Sequence, residues 1–111
     1  MIIVLDNIIA KSEDNVHKTE LAYGLKSKLF SKKKDNDAMT ENNLQLALFY
    51  EKSADKVWEN DVQGIFNAER YLQKAIFLYR NNGSTEKGAS AHRKLLDLQK
   101  FNVYSFLQKK T

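Results

Sequence analysis

The sequence predicts an all-α fold, an antiparallel bundle of four to five helices built around a tight central hairpin. Three observations carry this. The 111 residues hold no proline and only four glycines, too little turn chemistry for a sandwich or barrel. Apolar residues recur with the helical period along most of the chain. Small and aromatic residues in one helix repeat in the next after a fixed shift. A hydrophobic fraction of 42% is enough for a packed core, and the length suits a single domain over 1–111.

The elements follow in order. In MIIVLDNIIA, Val4/Leu5 and Ile8/Ile9 fit helical spacing, while the β-prone Ile2–Leu5 run also allows an extended arm on the core, so 1–11 is read as a helix or arm. The SEDN cluster can cap a helix over about 14–32, with Leu21, Leu25 and Leu29 as its apolar stripe. Lys32 to Lys34 complement its dipole, and 33–40 reads as a polar linker. Thr40 then caps a helix from 41 to about 59 carrying Leu44, Ala47, Leu48, Ala54, Val57 and Trp58. A second helix of the hairpin, about 62–81, buries Ile65, Phe66, Ala68, Leu72, Ala75, Ile76 and Tyr79, and Asn81-Asn82-Gly83 stops it. From 84 a further helix runs to about Lys100. Asn102 caps a last short helix in a docked tail ending at 111.

The repeated pattern lies in the hairpin. Ala47-x2-Tyr50-x3-Ala54 matches Ala68-x2-Tyr71-x3-Ala75 after 21 residues, and Ala89-x2-His92-x3-Leu96 is a degenerate third copy. Small residues seven apart share a helix face and admit a close neighbour, while the aromatic fills the adjoining groove. With AERYLQKAIFLYRNNG (68–83), this resembles the tetratricopeptide-like helical hairpin over roughly residues 41–100. It departs from that family in three respects. The two helices take about 42 residues rather than about 34. No proline closes the unit, and Trp58 stands late in its helix. The resemblance implies a stacked helix pair that serves protein–protein interaction.

Charge is organised in blocks although the net value is only +4. Residues 26–34 hold five lysines and no acid, 35–61 seven acids against Lys52 and Lys56, and 70–111 nine basic residues against Glu86 and Asp97. Lys26, Lys28, Lys32, Lys33 and Lys34, with Arg93, Lys94, Lys100, Lys109 and Lys110, suggest an alternative role on phosphate backbones, with Phe30 and Tyr104 as stacking platforms.

Catalytic signals are weak. The absence of cysteine removes thiol chemistry and disulfides and fits a reducing interior. His17 and His92 have no His or carboxylate at i+4 to form a helical metal pair. A ribonuclease-like helical domain is a further alternative, yet Arg80 stands twelve residues before His92, too far for an Arg–His pair of that type. Glu51, Asp55 and Glu59 follow at i+4 and read as a charged face paired to neighbouring helices, Arg70 and Lys74 among them. No glycine-rich phosphate loop or nucleophile elbow is present.

The expectation is therefore a non-enzymatic interaction module, or a helical domain of a larger assembly, with no cofactor and no metal. Its partner is another protein or a second copy, met by Phe49, Phe77, Tyr104 and Arg93. The Met1–Leu5 run is too short for a membrane span and lacks signal-peptide features, so a cytoplasmic location is expected by elimination.

Overall fold

The structure, a computed structural model, describes residues 2–12, 15–57 and 62–109, without the side chains of 62 and 102–109. The chain is all-α. Five helices follow one another: α1 (Ile2–Lys11), α2 (Val16–Lys32), α3 (Asn36–Val57), α4 (Val62–Asn81) and α5 (Thr85–Lys109), with no strand among the described residues. They form two compact units, Met1–Leu46 and Ala47–Thr111, and α3 contributes its first half to one and its second half to the other.

In the first unit, residues 2–11 are helical rather than extended. α1 packs antiparallel to α2: Asp6 meets Lys26 at 2.6 Å near one end, and Ser12 accepts the Thr19 hydroxyl at 2.8 Å near the other. Leu5 and Ser12 are buried on the α1 side. α2 starts one residue after Asn15, whose side chain accepts the Lys18 amide.

The leucine stripe does not face inward as its period suggests. Thr19, Ala22 and Tyr23 are the buried residues of α2, while Leu21 and Leu25 are 68% and 45% exposed. The inward face is the one with small residues, where a neighbouring helix comes closest.

The expected linker 33–40 is a three-residue turn. α2 ends in a Schellman motif: Asp35 N–H donates to the Phe30 carbonyl, Lys34 N–H donates to that of Ser31, and Lys34 takes φ 55°. Asp35 then caps α3 through the Ala38 amide, so α3 begins at Asn36 and Thr40 lies inside it. An aspartate available at the turn's exit displaces the cap by five residues. Early in α3 the buried Asn42 amide donates to the Tyr23 carbonyl at 3.1 Å.

In the second unit, the first two copies of the small–aromatic pattern meet. Ala47, Ala54, Ala68 and Ala75 are all buried, and Tyr50 stacks on Tyr71 with centroids 6.1 Å apart and planes 17° from parallel. That contact joins the second half of α3 to α4. The third copy points the other way. Ala89 and Leu96 are exposed, and α5 approaches α4 instead through Gly88, Ala91, Leu95 and Leu98. A Cβ on Gly88 would stand 3.3 Å from Arg80 Cγ, so alanine fits there only with a slight shift of the Arg80 side chain and a bulkier residue would part the helices.

α4 ends as its sequence predicts. Gly83 has φ 79°, and Ser84 N–H donates to the Tyr79 carbonyl at 2.8 Å. α5 then runs unbroken to Lys109, without the expected stop near Lys100 and new cap at Asn102. Beyond Gly88 the helix contains no glycine or proline to end it. Trp58 and Glu59 lie outside the described residues.

Candidate functional site

An exposed apolar groove lies in the first unit. Leu5, Ile8, Leu21, Ala22 and Leu25 form a groove of about 480 Å³ between α1 and α2, with Asn15, His17 and Lys18 at one end. The missing burial of Leu21 and Leu25 is thus the formation of a concave apolar surface. Along α2 the exposed stripe reads Lys18, Leu21, Leu25, Lys28, Lys32, at the i, i+3, i+4 spacing that aligns residues on one face. Over residues 18–34 six lysines accompany a single acid, Glu20, which lies 4.0 Å from the fully exposed His17. The one other acid contributed by α1, Asp6, is engaged by Lys26.

The helical period alone places these leucines in the core. The signal that distinguishes them is the stripe itself, which runs out into lysine at both ends.

The residues singled out from the sequence are dispersed. Phe49 is half-buried on α3 with its ring 6.1 Å from that of Tyr50, so it belongs to the packing of the second unit. Phe77 is 66% exposed and shares the outer face of α4 with Phe66, Arg70 and Gln73. Arg93 is exposed on α5. Tyr104 falls in α5, its side chain outside the described ones. Of the five lysines, Lys28, Lys32, Lys33 and Lys34 are exposed, whereas Lys26 is held by Asp6 and lies 6.0 Å from the rings of both Tyr23 and Phe30. The lysine cluster is therefore four residues at the end of α2, and Phe30 sits half-buried beneath Lys26.

The second unit has a polar cluster of another kind. Lys94 Nζ reaches Glu51 at 2.9 Å, and the Glu51 side chain is only 13% exposed. Glu51 also accepts the hydroxyl of the buried Tyr79. Burial first, then this hydrogen bond and the carboxylate charge, push the phenol well above its ordinary range. The hydrogen bond to Glu51 likewise raises Lys94, against the opposing effect of its burial. Glu51 is thus an interior tie among α3, α4 and α5 rather than part of an exposed charged face. Lys74 lies 5.3 Å over the Tyr50 ring. Beside the cluster is a cavity of about 380 Å³ lined by Ala54, Asp55, Ala68, Leu72, Lys94, Asp97, Leu98 and Phe101.

Among the described residues no three His, Cys, Asp or Glu side chains come together as a metal site. No helix there is long and apolar enough to cross a membrane. Compared with protein-family models, curated proteins and solved structures, the chain matches none. Function is therefore argued from its own surface.

Proposed function

We propose that the chain is a non-enzymatic protein–protein interaction module, or a helical domain of a larger assembly, that binds through the α1–α2 groove. The observation that supports this is the exposure of Leu21 and Leu25 beside Ile8, in a concavity lined mainly by apolar side chains. A concave apolar surface with a polar rim is how helical domains receive a partner's side chains. The likeness of 68–83 to a tetratricopeptide-like helix agrees in kind, since such hairpins serve as binding scaffolds.

The test places a photo-crosslinking residue at Leu21 in the producing cell and identifies the adducts by mass spectrometry. A protein adduct that disappears when Leu25→Glu is added supports the module. A nucleic-acid adduct, or none, removes it.

The exposed Lys28, Lys32, Lys33 and Lys34 support a second reading, nucleic-acid binding from the end of α2. That reading requires salt-sensitive affinity for a labelled duplex. Replacing Lys32, Lys33 and Lys34 by alanine should reduce the slope of log K against log salt by about three. An unchanged slope eliminates the cluster as a phosphate site.

A further inference from the structure

The groove's shape and the exposed lysines that continue its leucine stripe along α2 together specify an occupant. We infer that it receives an amphipathic helix whose apolar ridge is flanked by acidic residues. This rests on the reading of the chain as an interaction module and names the partner's chemistry.

Three features support the choice. The apolar surface lies between two antiparallel helices, so its occupant must present a ridge; a third helix laid along them does so with its i, i+3, i+4 side chains. The stripe from Lys18 to Lys32 covers fifteen residues, and the rise from first to last is about 21 Å at 1.5 Å per residue, close to four turns of a partner helix. Its ends are cationic, and Lys28 and Lys32 share their end of α2 with Lys33 and Lys34. Carboxylates on the partner opposite these lysines would fix its register and direction.

The same features disfavour two other occupants. A second copy docking the identical stripe antiparallel would bring Lys18 toward Lys28 and Lys32 of its twin, like charge against like. A lipid surface is met by a protruding apolar face rich in Trp, Phe and Leu, whereas these leucines border a recess and the stripe has no aromatic.

The experiment uses the full chain and a fluorescein-labelled helical peptide with leucines at i, i+3, i+4, i+7 and glutamates on its flanks. A lysine-flanked peptide of the same length is the control. Fluorescence anisotropy should show saturable binding of the acidic peptide only. Leu21→Glu/Leu25→Glu should weaken it at least roughly tenfold. Lys28→Glu/Lys32→Glu, at positions exposed in the fold, should weaken it and abolish its salt dependence while circular dichroism stays unchanged.

Equal binding of both peptides, or affinity unaffected by either double variant, overturns the inference. So does groove-dependent binding to phosphatidylserine vesicles without peptide binding, or self-association in sedimentation velocity that Leu25→Glu removes. A protein crosslinked at Leu21 with no acidic-peptide binding would refute the partner's chemistry and leave the module standing. Loss of both would refute both.

Discussion

Lys34 sits at φ 55°, in the left-handed region that an L side chain enters at a cost of about 1–2 kcal/mol. It is held there by the two Schellman hydrogen bonds that close α2. Glycine adopts the same conformation freely but loses more chain entropy on folding, so Lys34→Gly should stabilise the chain by about 0.5–1 kcal/mol. Lys34→Ala should bring no gain. Thermal melts of the two variants decide it, and equal melting temperatures would mean that the backbone there carries no strain.

Asn42 presents a different imbalance. Its amide donates to the Tyr23 carbonyl, but its Oδ1 is buried without a hydrogen-bond partner among the described residues. The Tyr23 carbonyl lies within α2 and keeps its intrahelical bond if Asn42 is lost. Asn42→Leu should therefore be neutral or stabilising, whereas Asn42→Asp buries a charge and should cost several kcal/mol. Denaturant titration of both variants checks the pair. A destabilising leucine would show that the amide bond outweighs the orphaned oxygen.

At the level of the helix, Gly88 and the 21-residue pattern show what a sequence period can and cannot convey. Ala47/Ala54 and Ala68/Ala75 were legible as a contact because both helices carry the same small–aromatic set, and Tyr50 stacks on Tyr71 accordingly. In α5 the pattern was misleading by one position. The close contact uses Gly88 and Ala91, not Ala89, because Gly88 alone removes the Cβ at the point nearest Arg80.

α2 misled for a related reason. Leu21 and Leu25 have a core-like period, and only the relation to α1 decides which face is covered. Most of the helices, the cap at Asn15 and the stop at Gly83 are thus readable locally, whereas the caps at Thr40 and Asn102 are not. The binding groove was not, because it depends on which of two faces a neighbour occupies.

Gly88 also gives the helix-level prediction. Ala at this position shifts the flexible Arg80 stem by a few tenths of an ångström and gains helix propensity, so Gly88→Ala should stabilise by up to about 1 kcal/mol. Gly88→Leu would wedge α4 from α5 and should cost about 1–3 kcal/mol. If Leu were tolerated as well as Ala, the close approach at Gly88 would be refuted.

For the molecule as a whole, the formal charge is +4 and the isoelectric point about 9.2. Net charge is therefore small near pH 9, and general repulsion is weak there. The Glu51 cluster adds its own pH dependence above that range. Tyr79 has its pKa raised in the fold by burial and by Glu51, and Lys94 has its own raised chiefly by the hydrogen bond to Glu51.

Both shifts have the same sign. Above about pH 10 the unfolded chain releases these protons while the folded chain retains them. The unfolded state then binds fewer protons, and stability falls as pH rises until the folded groups titrate. The contribution is fully present below that range, so melting temperature should be level from neutral pH to about 10 and then decline. Tyr79→Phe removes a hydrogen bond to a carboxylate and should lower stability at pH 7 by about 1.5–3 kcal/mol, yet its alkaline decline should be shallower. Lys94→Met should flatten the decline as well, by less, because the Lys94 side chain is 46% exposed and screened by solvent. Calorimetry from pH 7 to 11 on the three proteins provides the comparison, and curves that fall in parallel would show that Tyr79 and Lys94 do not set the alkaline limit.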